Sequence, residues 1–328
     1  MARDNRIDTI KGLLIILVVM GHIITGLDNV NIINHGVMGL IYIFHMPLFI
    51  LISGYLTKHP SQQSPVEMWK NVGKIMLILV IFHLLAVLWV YMISGNYLMP
   101  LLDFPFGVFW YLLSLICWRI MLYYTPERLL KQPLLYFGIA VVISLLIGLT
   151  HLGKFLSIQR TLNFYLFFLM GFYYRQGSFN TSLWHNNKLH AGVVLVVLPL
   201  LFWLYPKCGN VMSGADYYGF GGLPQKAMVL AGSITMSLLV FNLTRDNKWL
   251  RPIGKDSMFY YMYHINVLAF TVVPLVRTYP LPRTMPFILL YTALTIAILY
   301  LMSKIKFFRW FVHPTLPKCF KTQFTRIQ

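Results

Sequence analysis

Ionisable side chains stand at both ends of the apolar stretch KGLLIILVVMGH, residues 11–22. Lys11 and His22 are separated by about three helical turns and about 16 Å of rise, so a helix places them on nearly the same face. An ionisable residue inside a membrane is costly and is therefore a candidate for function. Two alternatives remain for Lys11: it can snorkel to lipid phosphates, or it can pair with Asp8, one turn earlier.

A second histidine lies beside a proline in FHMPLFILISGY, residues 44–55. Pro47 has no backbone N–H and frees the carbonyl one turn earlier, so we expect the helix to kink next to His45. A kink that carries a histidine can form the wall of a cavity. The alternative is a purely structural kink in which His45 bonds the freed carbonyl.

A third histidine ends the stretch GKDSMFYYMYH, residues 254–264. Ser257, Tyr261 and His264 occupy positions i, i+4 and i+7, which share one face of a helix. This is a polar stripe in a sequence where apolar stripes prevail. Together with the other two histidines, it predicts a shared polar cavity.

Basic residues near the cytoplasmic ends of the helices predict that this cavity has a basic inner mouth. Arg119, near the inner end of its helix, either snorkels or binds an anion. A basic mouth suits a phosphate-bearing ligand, and a neutral imidazole suits removal of a proton from a hydroxyl group. The predicted catalytic residues are His22, His45, His264 and Tyr261. The predicted residues for binding a phosphate-bearing co-substrate are Lys11, Arg119, Lys58 and Ser257, and no metal site is predicted.

The composition indicates a chain embedded in a membrane. Of 328 residues, 58% are hydrophobic and 11% are charged, and the mean hydropathy of +0.67 is far above that of soluble domains. The net charge of +18 is not gathered into one patch, which argues against nucleic-acid binding. The three cysteines have neither disulfide-framework nor zinc-site spacing.

Apolar stretches long enough to cross the hydrocarbon core predict an all-α integral membrane protein with about ten transmembrane helices. We expect one domain over residues 1–328 with no appended soluble domain, and a first helix that is retained because no cleavage site follows it. Lys and Arg concentrate on the side of the N-terminus, which predicts that both termini are cytoplasmic. The predicted helices are 8–26, 38–57, 73–94, 105–123, 134–151, 161–177, 189–205, 226–243, 257–275 and 286–304.

The order of these motifs resembles the membrane-bound acyltransferase-3 family, in particular its fucose 4-O-acetylase-like branch. The resemblance rests on Lys11-Gly12…Gly21-His22, on FHMPLFILISGY and on GKDSMFYYMYH, with FWYLLSLICWR (109–119) and FFLMGFYYR (167–175) as weaker matches. It covers essentially the whole chain. Arginine is commoner than lysine at position 11 in that family, and a proline associated with the sixth-helix motif is absent here.

The resemblance implies an enzyme that moves an acyl group, usually acetyl, from cytoplasmic acyl-CoA to a hydroxyl of a glycan. It places Lys11 and His22 in the active site. The expected partners are acetyl-CoA, membrane lipids and a surface polysaccharide or its lipid-linked precursor, in the inner membrane of a bacterium. The oligomeric state and the identity of the sugar are left open.

For residues 11–22, the hypothesis is that Lys11 binds the anionic acyl-CoA donor and that His22 acts as general base. Tyr261 or His264 would donate to the oxyanion, while an acyl-histidine intermediate is the competing route. The alternative class is a proton-coupled transporter or glycan flippase that uses the same histidines as a proton relay. Loop 206–225 is a candidate for acceptor recognition.

Overall fold

The computed structural model is built from helices alone, and it contains no β-strand within the residues it describes. These are residues 4–27, 32–95, 104–150, 152, 155–179, 181–204, 220–279 and 281–313. The long helices are α1 (Asn5–Gly26), α2 (Ile32–Tyr55), α3 (Pro65–Ser94), α4 (Trp110–Tyr123), α6 (Pro133–Leu146), α7 (Ile158–Arg175), α9 (Asn187–Leu204), α10 (Leu223–Leu243), α12 (Ser257–Val267) and α14 (Met285–Met302).

Shorter elements connect these helices. They are α5 (Glu127–Leu130), α8 (Ser182–His185), α11 (Arg251–Lys255), α13 (Val273–Thr278), α15 (Lys306–Val312) and the 3₁₀ turns Pro60–Gln62, Gly107–Phe109, Ile147–Leu149, Phe155–Ser157 and Phe220–Gly222. A π-helical turn, Leu268–Val272, joins α12 to α13. Pro274, which cannot donate a backbone hydrogen bond, lies two residues after the end of this turn.

Each of the ten predicted apolar stretches falls on one of the long helices. Six described helices are long and apolar enough to cross a membrane, and three shorter apolar helices accompany them. The all-α membrane class predicted from the sequence is therefore confirmed. The number of spans and the cytoplasmic position of the termini stay predictions. The six are Asn5–Gly26, Gly36–Tyr55, Pro65–Met92, Leu223–Leu243, Ser257–Thr278 and Met285–Met302.

Hydrogen bonds to backbone carbonyls fix both ends of α1. Near its start, Arg6 donates from Nε to the Thr244 carbonyl at 3.0 Å, just beyond the end of α10. At its end, Arg277 and Arg283 donate to the carbonyls of Gly26 and Leu27 at 3.1 Å and 3.0 Å. Cations at a helix C-terminus complement the unsatisfied carbonyls and the helix dipole. The helix that carries His22 is thus held at both ends.

The centre of the bundle depends on close contact between α2 and α7. A Cβ added to Gly54 would lie 1.9 Å from the Phe168 carbonyl oxygen, and one added to Gly171 would lie 1.8 Å from that of Leu51. No side chain fits at either position without moving the backbone. The two glycines therefore allow the helix backbones to touch, as small residues do in membrane bundles.

Candidate functional site

A cavity of about 460 Å³ lies among α1, α2, α3, α4, α7 and α12, and we call it the first cavity. Its size is that of a small-molecule binding site. Three of the four predicted catalytic residues, His22, His45 and Tyr261, line its wall. The other polar side chains in the wall belong to Tyr42, Trp89, Trp110, Ser157, Arg160 and Asn266.

His264, the fourth predicted catalytic residue, lies directly beside His22. The two ring centroids are 5.1 Å apart and the rings are tilted by 42°. His264 is buried, with 1% of its surface exposed, and its Nδ1 lies 2.6 Å from the Tyr261 carbonyl oxygen. Because a carbonyl only accepts, Nδ1 carries the proton, and Nε2 of the neutral ring carries a lone pair. Nε2 has no hydrogen-bond partner among the described residues.

His45 is also oriented by the backbone of its own helix. Its Nδ1 donates to the Ile41 carbonyl at 2.8 Å, and its ring packs edge-on against Tyr42 at 5.0 Å. The carbonyl that Pro47 frees belongs to Ile43, so His45 does not bond the carbonyl expected of a structural kink. With Nδ1 protonated, Nε2 of a neutral His45 is the nitrogen that can accept a proton.

Tyr261 connects the histidines to an aromatic cluster. Its hydroxyl donates to the carbonyl of Val108, which also lines the first cavity. Its ring lies 5.7 Å from that of His264 and 5.4 Å from that of Tyr111. The phenol proton is therefore already at the cavity wall, on a backbone partner that a ligand oxygen could replace.

The predicted anion-binding residues divide between two places. Arg119 and Lys58 line a second cavity of about 240 Å³, together with Thr57, Gln63 and Asn71. Arg119 is half-buried, and its Nε has no hydrogen-bond partner among the described residues. Two cations and three neutral polar side chains suit an anionic ligand such as a phosphate.

Lys11 and Ser257 line neither of these cavities. Lys11 Nζ lies 2.8 Å from Asp8 Oδ1, and the two side chains are 14% and 3% exposed. This is the pairing that the sequence left open as an alternative, and it follows from the spacing of i and i+3 on one helix. A role for Lys11 in donor binding stays a prediction.

Sequence reasoning did not single out Asn266 or Tyr42, which both line the first cavity. An amide inside an apolar helix was the available signal for Asn266, and the π turn begins two residues after it. Arg160 also lines the first cavity, and its guanidinium lies over the Trp110 ring, 5.4 Å from the ring centroid. Loop 206–225 lies outside the described residues up to position 219.

The fold and the cavities define an all-α membrane protein whose helices enclose a histidine-lined chamber. Residues 4–304 match the acyltransferase domain. The chain therefore belongs to the acyltransferase-3 family, as the motifs indicated.

The chain is similar to the nodulation protein NolL of Sinorhizobium fredii (strain NBRC 101917 / NGR234), with 49% identical residues over a stretch of 57. That match covers 16% of this chain and 16% of the relative. No solved structure matches the chain significantly.

Proposed function

We propose that this protein is an O-acetyltransferase of the bacterial inner membrane. It takes an acetyl group from cytoplasmic acetyl-CoA and transfers it to a hydroxyl of a glycan, either a surface polysaccharide or its lipid-linked precursor. The observation that carries the proposal is the convergence of His22, His45 and Tyr261 on one cavity, with His264 in contact with His22. Membership of an acyltransferase family supports the same chemistry.

His22 is the proposed general base. It lines the cavity, and His264 lies beside it with an Nε2 lone pair that has no hydrogen-bond partner in the described part of the chain. That lone pair can accept the N–H of His22, which would aim the other His22 nitrogen at a bound hydroxyl. A base held by a third group is the arrangement that activates nucleophiles in many acyl-transfer sites.

The reaction balances with these groups. His22 removes the proton of the acceptor hydroxyl as its oxygen attacks the thioester carbonyl carbon. The tetrahedral intermediate then breaks its carbon–sulfur bond, and the CoA thiolate recovers the proton from His22. The products are an acetyl ester and CoA, with no other reactant. An acyl-histidine intermediate is the competing route for the same pair of products.

Tyr261 is better suited than His264 to stabilise the oxyanion. The only proton of a neutral His264 lies on Nδ1 and is bonded to a backbone carbonyl. The Tyr261 hydroxyl points at the cavity wall, where its present partner is the Val108 carbonyl. Exchange of that partner for a developing oxyanion would strengthen the bond during the reaction.

The second cavity is the proposed site for the phosphates of acetyl-CoA. Arg119 and Lys58 supply two cations there, and Lys58 already holds a carboxylate, Glu67 Oε1, at 2.7 Å. An incoming phosphate would compete for Lys58 with Glu67, and Arg119 adds its Nε–H, for which the described residues supply no hydrogen-bond partner. Lys11 and Ser257 remain predicted donor contacts outside this cavity.

Transfer of radiolabelled acetyl from acetyl-CoA to a glycan fraction by the purified protein in nanodiscs tests the proposal. We expect an alkali-labile ester on the glycan and a loss of more than tenfold in His45→Ala at unchanged folded yield. Mass spectrometry of surface glycans from cells with and without the gene supplies the second measurement. Movement of a glycan or of protons across the membrane without acetyl transfer would instead favour the transporter class.

A further inference from the structure

Two segments of the chain run from the first cavity to the second. Met46 of α2 lines the first cavity, and Leu56, the residue directly after the end of α2, lines the second. On α4, these positions are Trp110 and Arg119. At about 1.5 Å of rise per residue, the two linings are about 15 Å apart along both helices. The cavities are therefore successive levels of one helical bundle, with a short stretch of packed side chains between them.

Tyr111 and Ser53 close that stretch by direct contact. The Tyr111 hydroxyl lies 2.6 Å from Ser53 Oγ, and Ser53 Oγ itself donates to the Phe49 carbonyl at 3.0 Å. Since a serine has one hydroxyl proton, Tyr111 must be the donor in the contact between them. The bond joins α4 to α2 at a level between the two cavities.

Aromatic rings pack around this hydrogen bond. Tyr111 lies 5.6 Å from the Phe49 ring and 5.4 Å from the ring of Tyr261, which lines the first cavity. About two helical turns further along α4, Arg119 lines the second cavity. We call Phe49, Ser53 and Tyr111 the partition. Phe49 and Tyr111 pack against Tyr261 of the first cavity, and the Ser53 carbonyl accepts a hydrogen bond from Thr57 of the second.

We infer that the partition is the binding site for the pantetheine arm of the acyl donor, and that the contact between Tyr111 and Ser53 is its closed state. The inference rests on the proposed function, in which the donor's phosphates and its thioester occupy different cavities. A long, thin chain then connects the two cavities, and we place it between α2 and α4, whose contact lies between them. At the partition, the hydrogen bond between Tyr111 and Ser53 joins α4 to α2 at a level between the two cavities.

The chemistry of the partition fits that arm. Pantetheine carries two amide groups along a flexible chain, and each amide offers one donor and one acceptor. Once separated, the Tyr111 hydroxyl can donate to an amide carbonyl, and Ser53 Oγ can accept from an amide N–H. One neutral hydrogen bond is exchanged for two of the same kind, so opening leaves no buried polar group without a partner.

A reversible crosslink across the partition tests the inference. Ser53→Cys and Tyr111→Cys are combined in a background whose three native cysteines are replaced by serine, and a short bifunctional methanethiosulfonate joins the pair. We expect acetyl transfer to fall at least tenfold on crosslinking and to recover when a reductant is added. Affinity for the phosphoadenosine diphosphate half of CoA, which lacks the arm, should stay within twofold.

The matched control is Ser114→Cys with Thr161→Cys in the same background. These buried hydroxyls lie 2.7 Å apart and join α4 to α7 instead of α2, so crosslinking them should leave transfer unchanged. Normal transfer by the crosslinked partition would overturn the inference, and so would equal losses in both pairs. Absence of transfer by the parent protein, which keeps Ser53 and Tyr111, would instead contradict the proposed acetyltransferase activity.

Discussion

Removal of Lys11 should destabilise the protein through Asp8. The Asp8 carboxylate is 3% exposed and lies 2.8 Å from Lys11 Nζ, so Lys11→Ala leaves a buried carboxylate without that cation. Breaking one side of a buried ion pair costs about 3–5 kcal/mol. Because the Lys11 side chain is itself 14% exposed, we expect Lys11→Ala to lower the free energy of unfolding by about 3 kcal/mol, the lower end of that range.

The assay is a double-mutant cycle with Lys11→Ala, Asp8→Asn and the combination of both, measured by SDS-induced unfolding in mixed micelles. The double variant should recover more than half of the loss in Lys11→Ala, since no buried charge is then left behind. Lys11→Arg should stay within about 1 kcal/mol of the parent protein, because it retains the cation. A Lys11→Ala protein of normal stability that binds acetyl-CoA poorly would refute this reasoning and favour a donor anchor.

Three further predictions concern the site and the orientation. His264→Ala should lower the turnover of acetyl transfer more than tenfold. The control is His190→Ala, which removes a buried histidine outside both cavities and should leave turnover unchanged. Steady-state transfer rates measure both variants, and equal effects would show that His264 does not belong to the site. Arg119→Gln should weaken acetyl-CoA binding about tenfold or more, as loss of a charge-assisted hydrogen bond does. Normal affinity by calorimetry would show that the second cavity is not the site for the phosphates of acetyl-CoA. A cysteine at position 214 should react with an impermeant reagent from outside and one at position 248 should not, and the reverse pattern would invert the predicted topology.

The helices and much of the site could be predicted from the sequence because membrane burial restricts both. Long apolar runs have few alternatives to helix in hydrocarbon, and ionisable residues within them are rarely tolerated without a role. That reasoning selected His22, His45 and Tyr261, which line the first cavity. It expected Arg119 at the mouth of the same cavity, whereas Arg119 and Lys58 line the second.

The division into two cavities could not be predicted from the sequence. It depends on how α2 meets α4, where Tyr111 reaches across to Ser53, and periodicity within one helix carries no information on such contacts. The spacing that put Lys11 on the face of His22 was equally consistent with an ion pair to Asp8, and the structure contains that ion pair. Asn266 and Tyr42 were missed because single polar residues in an aromatic-rich chain are common at helix interfaces.

The central claim is that His22 performs chemistry in the first cavity, and the turnover of His22→Ala tests it most directly. The measurement pairs steady-state transfer from acetyl-CoA to a glycan hydroxyl with calorimetric affinity for acetyl-CoA. We expect donor affinity within about twofold of the parent protein and turnover lower by at least about a hundredfold, as removal of a general base requires. Normal turnover in His22→Ala, or a loss that is explained entirely by weaker donor binding, would contradict the account.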